Sequence, residues 1–169
     1  MLPAQAPLPT DCNELFHPAI GNQTSILISE SAVGLSVAAT RLILSGMMER
    51  HPKLKIVMSH TGGALPYQSG RMDKNTKAAN LPRPVSEYMK RMYTDTVSPH
   101  SMGMQFAIDY YGIDNVMYGS DYPCWEPAEA LRLLEAVKLS ETDKRKLFVD
   151  NVRRVFGLPV VEPQRVAAE

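Results

Sequence analysis

Cysteine is nearly missing from this chain. Cys12 and Cys124 are the only two, too few for the disulfide framework of a small secreted domain, so a reducing, cytoplasmic setting is expected. An excess of either charge is missing as well. Eighteen basic residues balance eighteen acidic ones, and nothing points to a nucleic-acid partner. No apolar run approaches the roughly 20 residues that cross a bilayer. The opening MLPAQAPLPT has neither a positive n-region nor a long apolar stretch, which argues against a signal peptide and a membrane partner. Histidine is scarce, at four residues in 169. What remains is enough chain for one domain with a substantial core. It includes ten methionines, expected mostly as core filler.

The most informative stretch is LKIVMSHTGGALPYQSGR, residues 54–71. A short branched apolar run between His51-Pro52 and Gly62-Gly63 reads as a strand buried on both faces. It delivers His60 to the strand's end, followed by Thr-Gly-Gly, where the backbone can turn sharply or approach a ligand. Parallel α/β folds build their sites at the carboxyl ends of strands.

The rest of the chain repeats that plan. Residues 1–13, rich in Pro and Ala, read as a poorly ordered leader. Leu15 and Phe16 read as the end of a strand with His17 at its tip. Residues 22–28 read as a loop and 31–50 as one long helix, with Val33, Val37, Leu42, Leu44 and Met47–Met48 on its apolar face. Gly34 and Gly46 weaken that helix, and His51-Pro52 ends it. Helices follow at 66–79 and 85–92, then a strand at 93–97 and a helix at 101–111 closed by Gly112. A strand at 116–121 ends in Asp121. The next helix, 126–137, places Ala130, Leu131, Leu134 and Val137 on one face. Ser140 and Asp143 form a capping-box start to the last helix, which Gly157 closes, and 159–169 is a tail. About four strands, each followed by a helix, argue a parallel sheet. The fold class is α/β, with a partial (β/α) barrel over 14–158. A complete barrel needs about 250 residues.

Three strand ends present His17, His60 and Asp121, which would share one mouth of such a sheet. Imidazole and carboxylate together suit Zn, Fe or Mn, and a histidine not bound to metal could shuttle protons. Each residue also has a plainer reading: His17-Pro18 as a turn, His60 as a hydrogen-bonded histidine at a helix start, Asp121 as a loop cap. His51 reads as a helix stop and His100 as a loop residue. Cys124 and Trp125, just past Asp121, could line a pocket but read first as buried packing residues. Arg71, eleven positions past His60, is either a carboxylate-binding guanidinium or a solvated arginine beside Asp73 and Lys74.

The pairing of HPKLKIVMSHTGGALPYQSGRMD with VMYGSDYP resembles the amidohydrolase-related proteins of the amidohydrolase superfamily. The nearest group is similar to aminocarboxymuconate-semialdehyde and resorcylate-type decarboxylases. The resemblance implies a (β/α)8 TIM-type barrel with one divalent ion, Zn or Mn. By position, His17 matches a metal histidine, Asp121 the last-strand metal aspartate, and His60 the histidine that moves a proton beside the metal-bound water. Arg71 matches an arginine that reaches a neighbouring subunit's substrate carboxylate, which implies a homodimer. The implied activity is decarboxylation of a small unsaturated or aromatic carboxylic acid, with hydrolysis or hydration as the alternative chemistry.

The family's first strand carries a His-x-His metal pair, and no two histidines here have that spacing. The chain is therefore expected to be the C-terminal half of the barrel, completed by the missing N-terminal half or by a second copy. A non-catalytic half-barrel is the remaining alternative.

Overall fold

The computed structural model describes residues 24–76 and 80–159, with side chains from Val33 onward. The leader, the strand expected to end at His17, and all but the first residue of the tail lie outside the described residues.

Helix α1 spans Thr24–Leu44 and α2 spans Met47–Arg50. The helix thus starts inside the stretch expected as a loop. Ser and Thr cost a helix only about 0.5 kcal/mol each, so TSILIS carries no stop signal. The single helix expected over 31–50 is broken instead. Gly46 sits at φ 73°, and the Arg50 guanidinium donates to the Ser45 carbonyl at 2.6 Å, replacing helical bonds lost at the break. The buried face of α1 also differs from expectation. Ser36, Ala39 and Ile43 are buried, whereas Val33 and Val37 are exposed and line a groove of about 390 Å³ with Ala64, Leu65 and Met72. Ser36 can be buried because its hydroxyl accepts the Ala64 N–H at 3.0 Å.

Strands β1 (Val57–Met58), β2 (Tyr93–Asp95) and β3 (Val116–Met117) form a parallel sheet in chain order. Met58 pairs with Thr94 and Asp95 with Met117. Helices α3 (Leu65–Asn75) and α4 (Val85–Met89) connect β1 to β2, and α5 (Ser101–Tyr111) connects β2 to β3. Each strand is shorter than its apolar run. β1 is an edge strand among the described residues, which is why Val57 stays 41% exposed instead of buried on both faces.

Helix α6 (Pro127–Leu134) buries Ala130 and Leu134, with Val137 beyond its end, but Leu131 stays exposed. The last segment is α7 (Glu141–Arg145), one π-turn (Lys146–Asp150) and α8 (Asn151–Phe156). The Ser140–Asp143 capping box is present, and left-handed Gly157 closes α8. The π-turn has its cause outside the helix. The Tyr118 N–H donates to the Leu147 carbonyl at 3.0 Å, so the end of β3 competes for a bond of the helix ladder.

The core lies between sheet and helices, built on Ile43, Leu65, Tyr88, Met89, Met92, Met104 and Leu147. Met48, Met58 and Met117 are buried too, so methionine does serve mainly as filler. Asn151, 2% exposed, donates its amide to the Ile113 and Val116 carbonyls, both at 2.7 Å. Asn151→Leu strands both acceptors and should lower the unfolding free energy by about 3 kcal/mol in a urea titration.

Candidate active site

His60 opens a single 3-10 turn, His60–Gly62, directly after β1. Its φ is 55° and that of Thr61 is 54°. Two consecutive non-glycine residues in the left-handed region are strained. Gly62 and Gly63 continue the turn at φ 82° and 62°, where glycine carries no penalty. A methyl group on Gly62 would lie 2.1 Å from the Tyr111 hydroxyl, so the ring of Tyr111 occupies the space beneath the turn. That hydroxyl is buried and has no hydrogen-bond partner among the described residues; burial pushes its pKa well above the usual phenol value.

Asp121 lies past β3, also left-handed, at φ 64°. Its Oδ1 faces the Nε2 of His60 at 3.7 Å, with the two side chains 33% and 42% exposed. The structure therefore brings together two of the expected site residues at the carboxyl ends of β1 and β3, open to solvent. His17 lies outside the described residues. Arg71 is exposed on α3, and no hydrogen bond or ion pair joins it to His60 or Asp121 among the described residues. His51 caps α2 and His100 caps α5 through the backbone, as loop and stop residues do. Trp125 is 38% exposed and lines a cavity of about 110 Å³ with Ser98, Pro99 and Leu133. Neither it nor half-buried Cys124 is a core residue, because the loop after Asp121 stays on the surface.

One residue of the site is not marked by the sequence pattern. Asp95, the last residue of β2, accepts the His60 N–H at 3.2 Å on Oδ2, and the Thr61 and Val97 N–H groups at 3.1 and 3.0 Å on Oδ1. Its one signal in the sequence is an acidic residue at the carboxyl end of the strand-like YTDTV. Burial raises its pKa above the usual carboxylate value, against the lowering effect of the three backbone bonds. The folded chain therefore binds this proton more readily than the unfolded one. Asp95's contribution to stability is greatest below the ordinary carboxylate pKa and falls as pH rises through its raised value. Urea midpoints taken across that window should decline with pH, and the decline should be shallower in Asp95→Asn.

The donor types suit a divalent ion such as manganese, which takes carboxylate and imidazole ligands. Among the described residues no group of three or more His, Cys, Asp or Glu side chains lies close enough to hold one. Asp121 thus offers one carboxylate toward such a site, with the His60 imidazole beside it.

Residues 34–158 match the amidohydrolase family model, and the chain belongs to that family. It is 30% identical over 162 residues to gamma-resorcylate decarboxylase of Rhizobium sp. strain MTP-10005, covering 90% of this chain and 48% of the relative. It is 29% identical over 132 residues to 2-amino-3-carboxymuconate-6-semialdehyde decarboxylase of Dictyostelium discoideum, covering 72% and 36%. Its fold superimposes with a TM-score of 0.66, at 28% identity, on dihydroxybenzoic acid decarboxylase of Polaromonas sp. JS666 with bound manganese and the inhibitor 2-nitroresorcinol, covering 72% of this chain and 39% of that one. The chain spans about half the length of the curated relatives it matches. Among the described residues no helix is long and apolar enough to cross a membrane.

Proposed function

We propose that this chain supplies the C-terminal half of a (β/α)8 barrel in a divalent-metal-dependent decarboxylase of a small aromatic or unsaturated carboxylic acid. The carrying observation is the His60–Asp121 pair, 3.7 Å apart at the carboxyl ends of parallel strands, in a chain whose relatives include decarboxylases. Asp121 and His17 would hold the ion, manganese or zinc, with further ligands from the half that this chain does not match. When bound, the ion supplies a Lewis acid that polarises substrate oxygens.

The chain's own work is proton handling. Loss of CO2 leaves the bonding electron pair on the substrate carbon, and that carbon must take up a proton. The imidazole of His60 delivers it from Nε2. The Asp121 carboxylate faces that nitrogen and pairs with the ring while it carries the proton.

Arg71 serves a carboxylate in a neighbouring copy, and the surface around it supports a homodimer. Tyr67, one turn earlier on α3, is 67% exposed. It stacks on Phe106 at 4.4 Å, and Met102, one turn before Phe106 on α5, is 76% exposed. Exposed apolar surface beside a cation suits an interface between copies. Arg71→Ala should raise KM for the carboxylate at least about tenfold, with a smaller change in kcat.

The test is CO2 release from a panel of hydroxylated aromatic and unsaturated carboxylates with Mn2+ added, on the chain together with its missing half. Release from at least one of them is expected. Hydrolysis or hydration products without CO2 would overturn the decarboxylase reading in favour of those chemistries. Neither CO2 nor such products, with less than stoichiometric bound metal, would indicate a non-catalytic half-barrel.

A further inference from the structure

We infer that Asp95 is the positioning residue of this site. Its carboxylate holds His60 and Thr61 in their left-handed conformation and thereby aims the His60 imidazole at Asp121. This rests on reading His60 as the proton-transfer residue.

Left-handed residues other than glycine persist only where their surroundings over-determine them, and here two occur in succession, at φ 55° and 54°. The N–H groups of both point at one carboxylate. Asp95 takes the His60 N–H on one oxygen and the Thr61 N–H on the other. Successive N–H groups converging on an anion form a backbone nest. Here the anion is part of the protein. The third bond, from the Val97 N–H, anchors the carboxylate to the end of its own strand, so the turn after β1 is tied to β2.

The loop that carries Asp121 rests on the same side chain. A methyl group on Gly119 would lie 3.2 Å from Asp95 Cβ and 3.0 Å from Val97 Cγ2, so this backbone passes close over Asp95. Gly119 is held there by Thr96, whose hydroxyl accepts the Gly119 N–H and donates to the Gly119 carbonyl, each at 3.2 Å. Asp95 therefore lies between the two segments that present His60 and Asp121. It bonds one and packs against the other.

Asparagine cannot replace it. Three donors converge on two oxygens, and an Asn amide offers one oxygen and would turn its NH2 group toward a backbone N–H. Serine keeps one acceptor and removes that repulsion.

The experiment uses NMR on the full chain, comparing wild type with Asp95→Asn and with the double variant Thr61→Gly/Asp95→Asn. Strong intraresidue HN–Hα cross-peaks report the left-handed state, and amide exchange reports the bonds to Asp95. In wild type both signatures should be present at His60 and Thr61. In Asp95→Asn the cross-peaks should weaken at both, and their amides should exchange at least tenfold faster, while Thr94 and Val116 in the sheet keep wild-type exchange. Thr61→Gly should restore the turn in part, because glycine adopts that φ without strain. Unchanged turn signals in Asp95→Asn would overturn the inference. So would equal loss of protection in turn and sheet, or no recovery in the double variant. If Asp95→Asn does not fold, Asp95→Ser takes its place with the same readouts. Failure of both to fold would mark Asp95 as a structural residue and overturn its positioning role. None of these readouts needs metal or substrate. A negative CO2 assay leaves them standing, and unchanged turn signals leave the decarboxylase reading intact.

Discussion

His60→Asn lowers kcat for CO2 release by about 10²- to 10⁴-fold, the range for loss of a positioned proton-transfer group, and leaves the fold intact. Asparagine is the informative replacement for a backbone reason. His60 sits at φ 55°, and asparagine is among the few side chains that tolerate this region. Its N–H to Asp95 is retained, and the 42% exposed imidazole gives up little burial. Asparagine has no ring nitrogen to take up or give a proton, so only the chemistry is removed. The rate loss should fall on kcat with KM nearly unchanged, because proton delivery is a transition-state event. A mutant that melts with wild-type stability and retains wild-type kcat would remove His60 from the mechanism.

Gly62→Ala is the substitution expected to damage the protein most. Two penalties coincide there. The backbone is at φ 82°, a region that alanine avoids. The new methyl would also meet the Tyr111 hydroxyl at 2.1 Å and two ring carbons at 2.9 and 3.0 Å. Tyr111 is itself buried in the core, so neither partner can yield without moving α5 or the turn. The combined cost is at least about 3 kcal/mol, read as a drop in the urea midpoint and in Tm. Tyr111→Phe supplies the control. Alone it should be close to neutral or stabilising, because it removes a buried hydroxyl without a partner among the described residues. Combined with Gly62→Ala it should recover part of the loss, since the closest contact disappears while the ring carbons and the unfavourable φ remain. A Gly62→Ala protein as stable as wild type would show that the turn is not packed as described.

Features set by local chemistry are legible in the amino-acid sequence. The helix from Ser101 to Tyr111 closes at Gly112, and the capping box of Ser140 and Asp143 forms as its spacing implies. Both signals lie within a few residues of the feature they specify. The parallel arrangement of strands is legible too, because strands alternating with helices leave few other topologies. Sequence and fold part where distant segments of the chain decide. Val33 and Val37 have the spacing of a buried face of α1, yet Ser36 takes the inner position because the Ala64 N–H, far along the chain, needs its oxygen. The π-turn likewise depends on a bond from the end of β3, some thirty residues earlier. Of the site, His60 and Asp121 stand out because both follow apolar runs. Asp95 does not, because its importance comes from accepting N–H groups of a neighbouring strand's turn, a relation that no spacing within YTDTV encodes.

In the proposed function Asp121 is a ligand of the ion and His60 stands beside it at the same mouth. The most direct measurement is paramagnetic broadening of the histidine ring resonances on titration with Mn2+, which registers even a weakly held ion. Selective broadening of His60, together with His17, is expected while His51 and His100 remain sharp, and that selectivity should be lost in Asp121→Asn. Equal broadening of all four histidines, or selective broadening that persists in Asp121→Asn, would contradict it.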